Sequence, residues 1–263
     1  MNQHVTTNRL GFVPKAAIFD IDDTLLDNKP HATTSGLHEK SRLQAVHEVG
    51  RKHGVKELVS LTTKQNHIAF TTAPVHTLEG AVWNIMNMVG LADSQTINRD
   101  DPIFQEIVAL KNELHEDVLR QEGEPLPGAV AFVRSLAKVV DGRVAIASTA
   151  IRKEIDIFLE KTELRELFQD AAIISKEKMT HPKPHPDAFD QAFRALGLSD
   201  SARAHTVAFE DDPRGIMSAK AAGLYTCAIT HRYSREELQN LEIAPDMIAD
   251  SFAEFADIFG LKS

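Results

Sequence analysis

The hydrophobic pattern changes rhythm along the chain. Residues 15–21 form a short run rich in Ala, Ile and Phe, the pattern of a buried strand. From about residue 31 to 122, apolar positions recur three and four apart in LHEKSRLQAVHEVGRKHG, VHTLEGAVWNIMNMVGL and DPIFQEIVALKNELHEDVLRQEG. That spacing predicts amphipathic helices. Pro102 stands just inside the start of the last, with Asp101 or Asp100 as its cap. Only IAFTTAPV in this block is ambiguous between helix and strand. After Pro125 the two periods alternate. GAVAFVRSLAKVV, RKEIDIFLEKTEL, PDAFDQAFRALGL, DPRGIMSAKAAG and SFAEFADIFGL predict helices; RVAIAS, DAAIIS, HTVAFED, YTCAIT and a short DMIA predict strands.

Helix and strand in alternation imply an α/β fold, a doubly wound parallel sheet covered on both faces, and the strand at Ala16 joins it. The helical block is then an insertion after the first strand. The expected division is a core of residues 1–28 and 122–263 and an all-helical cap of residues 29–121.

Composition narrows the partners. The 263 residues suffice for one large domain or two modest ones, and 43% are hydrophobic. A net charge of −9 argues against nucleic acid as the main partner, because backbone binding needs a basic surface. It leaves room for a small anionic substrate, since a metal ion or a few donors invert the local field. Cys227 is the only cysteine, so no disulfide forms within the chain. No apolar run has membrane-spanning length. The leader MNQHVTTNRLGFVPK has no signal-peptide core and reads as disordered or loosely docked. The expectation is a cytoplasmic protein without membrane or nucleic-acid partners; a monomer and a weak dimer both remain open.

In an open parallel sheet, ligands bind at the carboxyl ends of the strands. The first strand ends in AAIFDIDDTLLD, with Asp20, Asp22, Asp23 and Asp27 close together and Thr24 directly after Asp23. Like charges this close raise one another's pKa. RVAIAS contributes Ser148 and Thr149, HPKPHPDAF contributes Lys183, and HTVAFED contributes Glu210, Asp211 and Asp212. Each alone has a plainer reading. D-x-D-x-T makes a turn, and Ser148 and Thr149 can cap the RKEIDIFLE helix, where an anion is also favoured. Lys183 can be a surface lysine, and residues 210–212 a charged turn. Four such groups in order, each at a strand-to-helix junction, suit phosphoryl transfer. One carboxylate attacks phosphorus; a second, two residues on, handles the proton; a divalent cation neutralises the crowded charge; a lysine and a hydroxyl cradle the transferring group.

FDIDDTLLD, AIASTA, KPHPDAF and VAFEDDPRGIMSAKAAGL together resemble the four motifs of the haloacid dehalogenase superfamily of phosphohydrolases. The resemblance is to the group with a helical cap after the first strand, which holds beta-phosphoglucomutase-like and phosphoglycolate-phosphatase-like enzymes. It implies Asp20 as nucleophile and Asp22 as general acid and base, with Mg2+ held by Asp20, the Asp22 carbonyl, Asp211 and Glu210. It implies Ser148, with Thr149, on the phosphoryl oxygens, Lys183 on nucleophile and phosphate, and Thr24 supporting the loop. Asp23 and Pro182 stand where the family often has glycine, the proline stiffening its loop, and Asp212 where it often has serine. The presence of Asp22 favours phosphatase or phosphomutase chemistry over dehalogenation.

The resemblance thus implies a Mg2+-dependent phosphatase acting on a small phosphorylated metabolite through an aspartyl-phosphate, with a sugar phosphomutase as the alternative. A signalling receiver domain uses similar residues, but it is far shorter and has adjacent acids on its first strand. In the cap, Lys64, Arg42 and TTAPVHT are candidate substrate contacts, while Trp83, Met86 and Met88 are expected to pack the cap's own core. The segments around Asn28–Pro30 and EGEPLPG are the expected hinge strands. His181 and His185 read as loop residues, and Cys227 as a buried apolar side chain.

Overall fold

The computed structural model of the chain describes residues 9–29, 36–75 and 77–261. Residues 1–8 of the leader, Pro30 of the first hinge segment and His76 of TTAPVHT lie outside them. The chain divides into two compact units, one formed by the residues up to Asp27 together with Glu124 onward, the other by Asn28–Gly123.

In the first unit, β1 (Ala16–Phe19) is buried along its whole length. Residues Leu26–Asp27 (β2) and Glu124–Pro125 (β3) form a separate antiparallel pair where the chain leaves this unit and returns. The main sheet adds β4 (Val144–Ala147), β5 (Ile173–Ile174), β6 (Thr206–Glu210), β7 (Tyr225–Ile229) and β8 (Met247–Ala249). Its order is β5-β4-β1-β6-β7-β8, and every pairing is parallel. The centre of the sheet reads as continuous apolar sequence because both faces are covered. Ile18 and Ala208 point to the face where Phe189 and Phe193 pack. Phe19 and Phe209 point to the other, where their rings stack 4.9 Å apart and Phe132 and Phe255 meet Phe209 edge-on.

The covering helices are α6 (Ala129–Val139), α7 (Arg152–Lys161), α8 (Asp187–Ala195), α9 (Pro213–Ala221), α10 (Arg235–Gln239) and α11 (Phe252–Phe259). The leader is docked from residue 9 onward, in contrast to the loose segment expected. Arg9 donates its N–H to the Ile258 carbonyl, and Phe12 packs edge-on against His205 and Tyr225 at 5.3 and 5.1 Å.

The second unit holds α1 (Leu37–His53), α2 (Lys56–Val59), α3 (Thr63–Thr71), α4 (Leu78–Met88) and α5 (Pro102–Glu122). Asp101 caps α5, its carboxylate accepting from the Phe104 N–H at 2.9 Å with Pro102 next in sequence. IAFTTAPV is not a strand. Thr62 and Gln65 form a capping box that starts α3, and the helix carries through Ile68, Ala69 and Phe70. Trp83 and Met86 pack in the core of this unit, but Met88 is 43% exposed and does not. Arg42 is also corrected. It is buried, donates from Nε to Asn66 Oδ1 at 2.7 Å and from Nη2 to the Asn66 carbonyl, and lies against the Phe70 ring. Burial lowers its pKa to about 10 against the opposing pull of Glu39. Its donors serve the packing of α1 on α3.

Candidate active site

The parallel register carries the polar residues to one edge of the first unit. Phe19 pairs with Ile146 on one side and Phe209 on the other, so Asp20, Ser148 and Glu210 leave neighbouring strands at one edge. Asp20 donates its N–H to the Phe209 carbonyl at 3.1 Å, which extends the pairing to the acid itself.

Lys183 comes from the loop after β5 and is not helical. Its ammonium bridges Asp20 Oδ1 at 2.6 Å and Glu210 Oε1 at 2.5 Å. Such charge-assisted bonds are short and strong. The other oxygen of Glu210 accepts from the Asp211 and Asp212 N–H groups at 3.0 and 3.1 Å. Gly215 makes room for this carboxylate, since a Cβ there would stand 1.7 Å from Glu210 Oε1. Thr24 Oγ1 donates to Asp211 Oδ1 at 3.1 Å and so ties the loop after β1 to the end of β6. Asp22 is half-buried and bridges to Leu26 across a tight turn. Asp23 adopts φ +59, a conformation in which glycine is ordinarily preferred.

Ser148 is buried, its Oγ accepting from the Ala150 N–H at 3.2 Å. It does not cap the following helix: α7 begins after Ile151, and Glu154 accepts from the Ile151 N–H. Thr149 is exposed and does not cap it either. Asp212 caps α9 by accepting from the Arg214 N–H at 2.9 Å. His181 and His185 stack on each other in the loop that carries Lys183. Cys227 is buried, as its apolar surroundings imply.

The electrostatics are those of a crowded acid cluster. Burial pushes the Asp20 carboxyl well above its ordinary range, with Glu210 and Asp22 acting the same way and Lys183 pulling back. Burial likewise raises Asp211, helped by Glu210, Asp20 and Asp23 and opposed by Arg232. Burial disfavours the charge on Lys183, but Asp20 and Glu210 outweigh it and lift its pKa above the ordinary lysine value. The ammonium remains charged throughout the physiological range.

Oxygens of Asp20, Glu210 and Asp211 lie within 4.8 Å of one another, and the buried Asp211 Oδ2 has no hydrogen-bond partner. An orphaned buried oxygen is costly unless something satisfies it. An all-carboxylate set of this kind fits a hard divalent cation that prefers oxygen.

Two residues beside this cluster have no counterpart in the motifs. His231 Nε2 lies 3.4 Å from Asp23 Oδ1 and 3.2 Å from Asp27 Oδ1, and Arg232 reaches toward Asp23, Asp211 and Asp212. The readable signal was a basic pair directly after the strand YTCAIT, at the same carboxyl edge.

The sequence profile described as haloacid dehalogenase-like hydrolase matches residues 14–223, most of the chain. The chain belongs to this family. It is a hydrolase of that family, and phosphatases are among its named relatives. The phosphoglycolate phosphatase of Vibrio vulnificus is 24% identical over 247 residues, which are 93% of this chain and 95% of that protein. A HAD hydrolase of family IA, variant 3, from Entamoeba histolytica has the same fold with a TM-score of 0.69 at 22% identity, over 95% of this chain and 100% of that one. CbbY from Rhodobacter sphaeroides, solved in complex with phosphate, gives a TM-score of 0.64 at 25% identity, over 94% of this chain and 99% of that one. Among the described residues, no helix is long and apolar enough to cross a membrane.

Proposed function

We propose that the chain is a Mg2+-dependent phosphatase that hydrolyses a small phosphorylated metabolite, a phosphomonoester, through an aspartyl-phosphate on Asp20. The observation that carries this reading is the Lys183 ammonium shared between Asp20 and Glu210, beside the unpartnered oxygen of Asp211. Asp20, Glu210 and Asp211 would hold the ion, with the backbone carbonyl of Asp22 completing the protein donors. When bound, Mg2+ neutralises the carboxylates and draws charge from the phosphoryl oxygens.

The chain's own residues then have separable tasks. A carboxylate oxygen of Asp20 forms a bond to phosphorus as the ester oxygen departs. Asp22 gives that oxygen its proton and afterwards takes one from water, whose attack on phosphorus frees phosphate and restores Asp20. Lys183 favours the anionic form of the Asp20 carboxylate, orients it and faces the charge that builds on the phosphoryl group. Ser148 donates to a phosphoryl oxygen, with Thr149 as a further donor. Thr24 keeps the loop of Asp22 against Asp211.

The helical insertion, residues 29–121, would serve as a specificity cap, and Lys64, exposed at the start of α3, is a candidate substrate contact in it. The names of the phosphoglycolate phosphatase and of phosphate-bound CbbY support a phosphorylated small-molecule substrate. A single buried cysteine suits the reducing cytoplasm.

Phosphate release from a panel of phosphorylated metabolites, with Mg2+ and with chelator, tests the proposal. The expected result is release that the chelator stops. Release indifferent to chelator contradicts the metal role. No release, together with isomerisation primed by a sugar bisphosphate, contradicts the phosphatase assignment in favour of a mutase.

A further inference from the structure

Arg232 stands in the loop three residues after β7 and is not accounted for by the reaction as derived. Its guanidinium lies 3.6 Å from Asp23 Oδ2, 3.5 Å from Asp212 Oδ2 and 4.0 Å from Asp211 Oδ2. These are attractions beyond good hydrogen-bond distance, so its five N–H donors are largely unspent. The side chain is 41% exposed, yet three carboxylates and the face of Tyr233, 5.8 Å away, hold it in place. It is a charged fork with free donors at the mouth of a buried acid cluster.

Its position indicates what it would receive. Asp23 follows Asp22 directly, on the loop whose acid protonates the departing oxygen. Arg232 faces this loop through Asp23, whereas Lys183 bonds to the nucleophile Asp20 itself. A divalent cation on Asp211 would take up part of the negative charge that now draws Arg232 inward. A guanidinium released in this way matches a planar carboxylate or a phosphate through two parallel bonds.

We propose that Arg232 binds a second anionic group on the leaving half of the substrate, close to the scissile ester, so that the preferred substrates are phosphomonoesters of hydroxy acids or bisphosphates. This rests on the phosphatase reading above. It assigns the discrimination between charged and neutral leaving groups to the core unit itself.

The test compares 2-phosphoglycerate with glycerol 2-phosphate, which differ only in a carboxylate replacing a hydroxymethyl group. Binding is measured by calorimetry in Mg2+ buffer on the Asp20→Asn protein, and kcat/KM on the protein with Asp20 intact. The expected preference for the carboxylate-bearing compound is about tenfold or more, as for one charge-assisted bidentate contact. Arg232→Met should reduce that preference to near unity in both measurements. Arg232→Lys, which keeps the charge and loses the fork, should leave an intermediate value. Equal binding of the two compounds to the Asp20→Asn protein overturns the inference. So does a preference that survives Arg232→Met in a protein that still melts cooperatively. If no phosphomonoester at all is hydrolysed or bound, the phosphatase reading has failed, and that result is distinct from hydrolysis without preference.

Discussion

Replacing Asp211 by asparagine should stabilise the metal-free protein while removing the stabilisation that Mg2+ gives the native one. Oxygens of Asp20, Glu210 and Asp211 lie within 4.8 Å of one another. At that distance two unit charges repel by about 3 kcal/mol at an effective dielectric of about 20. Asp211 faces two such neighbours. Lys183 is bonded to those neighbours, at 2.6 and 2.5 Å, and not to Asp211. The Arg232 guanidinium, 4.0 Å from Asp211, is partly in solvent and returns about 1 kcal/mol or less. A proton on Asp211 relieves part of the repulsion, which is the sense of its raised pKa. The net gain on removing the charge is on the order of 2–4 kcal/mol near pH 8. Asparagine keeps an Oδ1 acceptor for Thr24, so the 3.1 Å bond survives.

For a chain of this length that gain corresponds to roughly 5–15 °C in melting temperature. The sign with pH follows from the same shift. Between the ordinary carboxylate value and the raised one, the folded state keeps a proton that the unfolded state has released. Stability of the metal-free protein therefore falls as pH rises through that window. Asp211→Asn should flatten the fall in part, with Asp20 retaining its share. The assay is thermal melting from pH 5 to 9 in chelator, repeated with Mg2+. A variant that melts below the native protein in chelator across the range would refute the reasoning.

Three further outcomes are expected. Asp20→Asn should abolish turnover while leaving a cooperative melt; near-native activity would remove Asp20 from the nucleophile's role. Gly215→Ala should displace the Glu210 carboxylate, cost about 3–5 kcal/mol by breaking a buried charged network and weaken Mg2+ binding; an unchanged metal titration would show that Glu210 does not serve the ion. His231, whose pKa is raised by its bond to Asp23 and by Asp27 against the effect of burial, contributes stability that is present below its ordinary value and lost as pH rises through the raised one. His231→Gln should thus destabilise at pH 6 and not at pH 9, by under about 1 kcal/mol given partial solvent screening; equal loss at both values would contradict the ion pair.

The sheet was legible because its strands are buried on both faces and read as unbroken apolar runs between helical periods, so Ala16–Phe19 and Thr206–Glu210 stand out. The acid cluster was legible because each member ends a strand of one parallel sheet. What escaped depends on partners far away in sequence. Arg42 reads as a candidate substrate contact in α1 until Asn66 and Phe70 arrive from α3 to bury it. Ser148 and Thr149 lie close enough to α7 to suggest caps, but the helix starts beyond them at Arg152. His231 and Arg232 follow a strand without any motif, and only the sheet order, with β7 next to β6, brings them to Asp23 and Asp211. Met88 falls on the period of α4, but at its exposed last turn.

The central claim is that the phosphoryl group passes through Asp20. Acid-quenching the enzyme in mid-turnover and locating the bound phosphoryl group by peptide mass spectrometry tests it most directly. The account predicts one phosphoryl group on the peptide containing Asp20, absent from the Asp20→Asn protein and from enzyme treated with chelator. Phosphate release with no phosphorylated peptide at any quench time, or a label that persists in Asp20→Asn, would contradict it.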